Sequence, residues 1–158
     1  MKDSWILVLI IIVIIAAISS LKKKSKSKNL EKKSWPFYAK KPLTNPEQIL
    51  YYRLIDALPE NIVLSQVQLS RFLGVKKGFN FNEWNNRINR MSIDFLICLK
   101  DSSIVAAIEL DDKTHEREDR IQADEKKNKA LADAGVRLIR WNVKNMPNTE
   151  AIKKELIY

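Results

Sequence analysis

The sequence predicts a mixed α/β domain, built on one central sheet flanked by helices and preceded by one N-terminal transmembrane helix. The domain is indicated by short β-branched apolar runs that alternate with helical patterns, separated by glycine, proline and charged residues. The transmembrane helix is indicated by residues 4–21, which include no charged side chain. A helix of that length would measure roughly 27 Å, close to the roughly 30 Å of a bilayer core. We therefore assign a membrane span to 4–21, a basic tether to 22–43 and the domain to 44–158.

Seven lysines lie between residues 22 and 33, directly after the apolar run. Such a cluster is typical of a stop-transfer signal, so we expect a single pass at an inner or plasma membrane, with the N-terminus outside and the domain in the cytoplasm. The same lysines are expected to contact anionic lipid. A cleavable signal peptide is the alternative, because small residues end the apolar run. Cys98, the single cysteine, allows no intramolecular disulfide, which agrees with a reducing compartment.

The formal charge of +9 invites a nucleic-acid interpretation, but most of it lies beside the predicted membrane span. Residues 1–33 hold eight lysines and two acids, or +6, and the other 125 residues carry only +3. Net charge by itself therefore does not establish nucleic-acid binding by the domain.

The domain begins with a helix, predicted over 46–58. Thr44 is suited to cap its start, Pro46 to occupy its first turn and Glu47 to add an acid there. An apolar stripe continues to the next proline, and β-branched residues then predict a strand over 62–67. A short helical turn, a loop and a second short helix or irregular arm are expected next, over 69–73, 76–82 and 83–90.

Two apolar strands are predicted over 92–99 and 103–110, joined by the charged turn at 100–102. A long helix with a polar outer face follows over 116–134 and ends at Gly135, because glycine is favoured just beyond a helix. A further strand and a final helix are expected over 136–141 and 148–157. This order of elements predicts an α/β sandwich around one mixed sheet.

Carboxylates lie where two of these strands meet solvent. Asp94 belongs to the first apolar strand, and Glu109 and Asp111 end the second. His115, the only histidine of the chain, follows them. Period-two alternation places Glu109 and Asp111 on one face, and pairing of the two strands would bring Asp94 close to both. Such oxygens bind Mg²⁺ or Mn²⁺, which activates water and neutralises phosphate charge, so these acids predict phosphodiester hydrolysis.

These residues resemble the domain of unknown function 2726 family, which is related to the restriction-endonuclease-like PD-(D/E)XK superfamily and similar to the very-short-patch-repair endonucleases. The resemblance covers residues 44–145 and implies a restriction-endonuclease-like fold. It also implies a metal-dependent endonuclease that acts on nucleic acid, with DNA favoured as the substrate. The resemblance rests on Ser92–Phe95, Ile108–Asp112, His115, Arg117, Arg120, Asp124, Lys127 and Ala134–Arg140.

The resemblance implies roles for three acids. Asp94 matches the first metal-binding acid of the family and Glu109 matches the second. Glu47 matches an acid that many members of the superfamily carry in their first helix. The implied cofactor is Mg²⁺ or Mn²⁺, with Asp111 as a candidate third ligand.

Asp111 departs from the family pattern, because the motif has at this position a lysine that orients the nucleophile and stabilises negative charge. That work would fall to His115 or to Lys127. Considered by their local patterns alone, a histidine near a helix start often hydrogen-bonds only locally, and Lys127 lies in a helix whose alternating charges predict a solvated face. We therefore expect a membrane-anchored nuclease. The alternatives are a catalytically inactive module that binds nucleic acid or protein, and a scaffold whose acids serve only structure.

Basic residues in two segments are the candidates for phosphate contacts: Arg87, Arg90, Arg117 and Arg120. Phe79, Phe81 and Trp84 lie beside the first pair, where their rings could stack on bases. The alternative is that these aromatic side chains pin a loop to the core.

Overall fold

The computed structural model describes residue 5 and residues 10–20, 34–111 and 118–157, with 118–121 and 157 described by their backbone alone. Residues 10–20 are helical. Within the described ranges, no helix has both the length and the apolar character needed to cross a bilayer. The predicted span over 4–21 lies partly outside these ranges and the lysine cluster over 22–33 lies wholly outside them. Both therefore stay predictions.

Residue contacts divide the chain at Lys40 and Lys41, and the C-terminal unit is a four-stranded sheet flanked by helices. This confirms the prediction of a mixed α/β domain. Two short 3-10 turns, Leu69–Arg71 and Val143–Asn145, connect some of the elements. The helices and strands are α1 (Asn45–Ala57), β1 (Ile62–Gln68), α2 (Phe81–Ile88), β2 (Ser92–Cys98), β3 (Ile104–Asp111), α3 (Glu118–Asp133), β4 (Leu138–Asn142) and α4 (Thr149–Ile157).

The strands lie in the order β1-β2-β3-β4. β1 and β2 are antiparallel, as are β2 and β3, whereas β3 and β4 are parallel. A parallel pair requires a crossover connection, and α3 supplies it. Because β2 and β3 run in opposite directions, the start of β2 and the end of β3 meet at one end of the sheet. The acids predicted for the site come from these two strand ends.

The capping prediction for α1 is confirmed. Thr44 Oγ1 accepts a hydrogen bond from Glu47 N at 3.5 Å, and Glu47 Oε2 accepts one from Thr44 N at 2.6 Å. The two bonds form a reciprocal capping box, which satisfies backbone donors that the helix leaves free. The cap also holds the Glu47 carboxylate at the start of α1, with its second oxygen available to another partner.

The predicted start of α2 is wrong by two residues, because Asn80 caps the helix. Asn80 Oδ1 accepts a hydrogen bond from Glu83 N at 3.2 Å, so the helix begins at Phe81. Asparagine is a favoured cap residue, but its position inside a run of polar and aromatic residues gave little indication of which residue would start the helix. All eight residues of α2 are described, and each is at least partly exposed.

The predicted start of β4 is also wrong by two residues, because Val136 belongs to the hydrogen-bonded turn that ends α3. Gly135 has a φ of +72°, which a glycine adopts without strain, and Val136 N donates a hydrogen bond to Leu131 O at 2.9 Å. This helix ending delays the strand until Leu138.

Two apolar layers enclose the sheet. Helices α1 and α4 cover one face, and α3 covers the other together with the turn after β1. The first layer includes Leu50, Leu54, Phe95, Ile97, Ile108 and Ile152. The second layer includes Leu69, Ile93, Leu96, Cys98, Ala107 and Leu131.

The start of β2 departs from regular strand geometry. Ile93 is buried in the layer that contains α3, whereas Phe95 is buried in the layer that contains α1. Residues two apart on a strand normally share a face, so the strand turns over at Asp94. In the register of β1 with β2, Ser65 pairs with Phe95 and Val67 with Ile93. Gln66, between Ser65 and Val67, has a φ of +53°. A left-handed backbone costs roughly 1 to 2 kcal/mol in a residue other than glycine, and such strain is concentrated at functional sites.

Candidate active site

Glu109 and Lys127 form the most buried ion pair among the described residues. Glu109 lies near the end of β3 and is 7% exposed, and the side chain of Lys127 on α3 is 14% exposed. Lys127 Nζ donates hydrogen bonds to both carboxylate oxygens of Glu109 at 2.9 Å. A charge-assisted pair of this kind is stronger than an exposed one, because little water competes for either partner.

The prediction of a solvated helix face for Lys127 is therefore wrong. Leu131 is fully buried against the sheet, and it lies one helical turn after Lys127 on the same side of α3. The helix consequently directs the lysine toward the sheet even though most of its neighbours in sequence are charged. Of the two residues proposed to replace the motif lysine, the structure brings Lys127 to Glu109, and His115 lies outside the described residues.

Asp94 is held from both sides by neighbouring strands. Its Oδ2 accepts a hydrogen bond from Leu110 N at 2.8 Å, so the carboxylate lies beside the backbone of the strand that carries Glu109. Its Oδ1 accepts a hydrogen bond from Gln66 Nε2 at 3.4 Å. Gln66 Nε2 also lies 3.0 Å from Glu47 Oε1. The helix acid expected from the resemblance is thus linked to Asp94 through one amide.

Burial and mutual repulsion act on these carboxyl groups. Burial raises the pKa of Asp94, and the negative charge of Glu47 adds to that rise against the opposing hydrogen bond from Leu110. Burial also raises the pKa of Glu109, whereas the hydrogen bond and charge of Lys127 lower it and the charge of Asp94 raises it further. Two partly buried carboxylates repel each other, so a cation bound between them would stabilise their ionised forms.

Asp111 is engaged by a different partner. Arg140 Nη1 on β4 lies 3.3 Å from both carboxylate oxygens of Asp111 and 3.7 Å from Asp124 Oδ2. Arg140 Nη2 donates to Asn128 Oδ1 at 3.0 Å. Within the ranges that the structure describes, no three histidine, cysteine, aspartate or glutamate side chains are grouped to hold one metal ion. The described site therefore joins Asp94 with Glu109, and Asp111 forms an ion pair beside them.

The basic residues predicted for phosphate contacts fall into two groups. Arg87 belongs to α2, where its Nη2 pairs with Glu83 Oε1 at 2.8 Å, and Arg90 is exposed just after the helix. Arg120 lies in α3 with only its backbone described, and Arg117 lies outside the described residues, as His115 does.

Two residues of the site were missed from the sequence. Gln66 is one of several polar residues in an alternating strand, and glutamine gives no signal for a left-handed backbone. Arg140 offered a clearer indication, because a charged residue lies inside the short apolar strand β4. Its partner could be identified only from the parallel register, which pairs Glu109 with Arg140 and Asp111 with Asn142.

An open groove of about 570 Å³ runs along the edge strand β1 and reaches this site through Gln66. Its lining also includes Arg71, in the turn that follows the strand. The groove is lined by Tyr51, Val63, Leu64, Ser65, Gln66, Val67, Gln68 and Arg71.

Comparison with known proteins agrees with the resemblance that the sequence motifs suggested. The model of one protein family, described as a protein of unknown function (DUF2726), matches residues 39–157. No curated protein and no solved structure matches the chain. The match spans both apolar layers of the domain together with Glu47, Asp94, Glu109 and Lys127. The chain belongs to the DUF2726 family.

Proposed function

We propose that the domain hydrolyses phosphodiester bonds in nucleic acid with the help of Mg²⁺ or Mn²⁺, on a restriction-endonuclease-like fold. The observation that carries the proposal is the junction of three charged groups at one end of the sheet. Asp94 and Glu109 come from adjacent strands, and Lys127 reaches the second of them from the crossover helix. Two acids and one lysine are the chemical groups that the family's superfamily motif requires.

The donor set fits a hard divalent cation. Asp94 and Glu109 offer carboxylate oxygens. Burial raises the pKa of both groups by desolvation, and the positive charge of Lys127 only partly opposes the rise. A cation of this kind supplies a water of lowered pKa and neutralises charge on the phosphate. Asp94 and Glu109 would hold it, and Glu47 with Gln66 would fix the orientation of Asp94.

Lys127 supplies the positive charge that Asp111 cannot. Its ammonium lowers the pKa of Glu109 against the larger effect of burial, and it would stabilise negative charge that develops on the phosphate. The helix in which it lies differs from the strand that carries the motif lysine in the superfamily. A flexible side chain of four methylene groups allows the same charge to reach the site from this position.

The nuclease proposal is tested by incubating the full-length protein with labelled single-stranded DNA, duplex DNA and RNA, in Mg²⁺, Mn²⁺ or a chelator. Cleavage should require the metal and should fall by at least about 100-fold in Asp94→Asn and Glu109→Gln. Glu60→Gln is the matched control, because Glu60 forms an exposed ion pair with Lys100. Cleavage that ignores the chelator, or that both site variants retain, would contradict the proposal.

A catalytically inactive binding module is the second candidate, and one observation favours it. Lys127 bonds both oxygens of Glu109, which satisfies that carboxylate without a metal. Such a module would bind nucleic acid or a protein partner with an affinity that does not depend on Mg²⁺. The cleavage assay separates the candidates when it is combined with a binding measurement in chelator.

We also propose that residues 4–21 anchor the domain on the cytoplasmic side of an inner or plasma membrane, with the lysines over 22–33 against anionic lipid. The uncharged apolar run and the lysines that follow it support this placement. A reporter that is active only in the cytoplasm should be active when it is fused after Tyr158. Recovery of a secreted protein that lacks residues 1–20 would contradict it.

A further inference from the structure

Three aromatic side chains are exposed within six residues of the chain. Phe79 is 59% exposed, Phe81 is 61% exposed and Trp84 is 41% exposed, and together we call them the aromatic surface. The alternative that these rings pin a loop to the core is wrong, because the rings face solvent. Near its C-terminal end, helix α2 packs against the apolar layer that contains α3, through the partly buried Ile88.

Two rings of the aromatic surface are ordered by contacts with each other and with Arg87. The rings of Phe79 and Trp84 meet edge to face, with centroids 5.8 Å apart and planes at 87°. The Arg87 guanidinium lies 4.3 Å from the centroid of the Trp84 ring and is held there by Glu83. A ring whose orientation is fixed loses little further freedom when a flat ligand stacks on it.

Basic side chains surround these rings. The segment from residue 71 to 90 carries five basic residues and one acid, and that acid is paired with Arg87. All five basic side chains are exposed. The combination of exposed rings and unbalanced positive charge complements a polymer that carries both flat bases and phosphates. The basic residues are Arg71, Lys76, Lys77, Arg87 and Arg90.

We propose that the aromatic surface binds single-stranded nucleic acid, with unpaired bases stacked on its rings and phosphates beside the basic residues that surround it. Bases inside a duplex are stacked on each other and offer no free face, so exposed rings favour an unpaired strand. This inference rests on the proposed function, because it names the class of nucleic acid that the same domain would act on. It adds strandedness, which neither the acids nor the family match determines.

The position of the aromatic surface agrees with delivery of a strand to the acids. Helix α2 leads directly into β2, and Ile88 is six residues before Asp94, a separation of at most about 21 Å. Arg71 belongs both to the basic set and to the lining of the groove along β1, which also includes Gln66. A short single strand that contacts Arg71 could therefore continue along the groove to Gln66, whose side chain contacts Asp94.

The test measures binding of the full-length protein to a fluorescently labelled oligothymidylate, by anisotropy in chelator so that cleavage does not interfere. Trp84→Ala and Phe81→Ala should each weaken binding by about 5- to 150-fold. Trp84→Phe keeps a ring and should bind nearly as the wild type does. Tyr52→Ala removes another exposed ring, on α1, and should have no effect. A duplex of equal length should bind more weakly than the single strand.

Several results would overturn the inference: unchanged affinity in Trp84→Ala and Phe81→Ala, tighter binding of the duplex, or no binding of either polymer. Binding to phosphatidylglycerol vesicles that depends on the rings, without oligonucleotide binding, would instead identify a membrane surface. Circular dichroism of each variant, with Trp84→Phe as the ring-retaining form, separates lost stacking from lost folding. Aromatic-dependent binding without metal-dependent cleavage would overturn only the nuclease proposal, and cleavage without aromatic dependence would overturn only this inference.

Discussion

The two ends of the β2–β3 hairpin carry acids in opposite electrostatic states. At the connecting turn, hydrogen bonds from Ser103 lower the pKa of Asp101. Lys100 of the same turn lowers, by its hydrogen bond, the pKa of Glu60, which lies just before β1. At the open end, burial raises the pKa of Asp94 and of Glu109. The same pair of strands therefore stabilises ionised acids at one end and disfavours them at the other.

Backbone geometry shows a similar contrast. Among the described residues other than glycine, Ser102 and Gln66 have positive φ values, +70° and +53°. Ser102 lies in the connecting turn, where a left-handed residue lets the chain reverse direction. Gln66 lies within β1, where no reversal requires it, and its side chain contacts Asp94. The positive φ at the turn end is explained by chain reversal. The strained backbone of Gln66 and the buried acids at the open end are not required by the fold, and such features are concentrated at functional sites.

The largest difference between the two ends should appear when their lysines are neutralised. Lys127→Gln should lower metal-dependent cleavage by about 100-fold, because it removes a positive charge from the proposed phosphate site. Lys100→Gln, which breaks the exposed pair with Glu60, should leave cleavage unchanged. The test compares the cleavage rates of Lys127→Gln and Lys100→Gln under the same conditions. Equal rates would contradict a special role for Lys127.

Charge reversal of an acid should give the next largest difference. Asp111→Lys would place an ammonium against the Arg140 guanidinium, which now lies 3.3 Å from both oxygens of Asp111. We expect the free energy of unfolding to fall by roughly 1 to 3 kcal/mol. Glu60→Lys creates a similar pair of cations with Lys100 in open solvent and should change stability little.

Urea denaturation of both reversed variants provides the comparison. The resemblance places a lysine at this position, so Asp111→Lys should increase cleavage if Asp111 merely occupies the place of the motif lysine. The ion pair with Arg140 predicts instead a destabilised domain with no gain in cleavage. A stable and more active Asp111→Lys variant would show that Arg140 has little influence on the site.

The smallest difference concerns the pH dependence of stability. The raised pKa of Asp94 means that its contribution to stability is complete below the unfolded pKa and is lost as pH rises through the folded pKa. Asp94→Asn should therefore increase the free energy of unfolding at pH 7 by about 0.5 to 1 kcal/mol. The gain should vanish near about pH 3, where the carboxyl is protonated in both states.

Asp101 should show the opposite sign. Its lowered pKa stabilises the fold above the unfolded pKa, and this contribution is lost as pH falls through the folded pKa. Asp101→Asn keeps an oxygen that can accept the hydrogen bond from Ser103 N, so it removes mainly the charge. This variant should be less stable than the wild type at pH 7 and equal to it in strong acid. Denaturation curves of Asp94→Asn and Asp101→Asn at pH 7 and near about pH 3 measure whether each substitution raises or lowers the free energy of unfolding.

Strand placement and two of the site acids could be predicted from the sequence, because apolar runs mark β2 and β3 and each run carries an acid near one end. Asp94 and Glu109 were identified as candidates in this way, and the structure places them on adjacent strands. Lys127 was mistaken for a surface residue because its neighbours in sequence are charged. Only its distance of one helical turn from the buried Leu131 indicated that it faces the sheet.

Other features depend on contacts between distant segments and left no local pattern. The pairing of Asp111 with Arg140 requires the parallel register of β3 with β4, which the sequence does not specify. Exposure of Phe79 and Trp84 could not be distinguished from burial, because aromatic residues are common in both settings. Composition predicted the elements, whereas tertiary contacts determined which charged groups meet.

The most direct test of the proposed site is the effect of Mg²⁺ on thermal unfolding of the full-length protein and of Asp94→Asn. The wild type should be stabilised by about 2.7 kcal/mol when the metal is at 100 times its Kd. Asp94→Asn should be the more stable protein without metal and should not respond to Mg²⁺, because a carboxylate ligand is missing and the repulsion with Glu109 is gone. A wild type that does not respond to Mg²⁺, or a variant that responds equally, would contradict metal binding by Asp94 and Glu109.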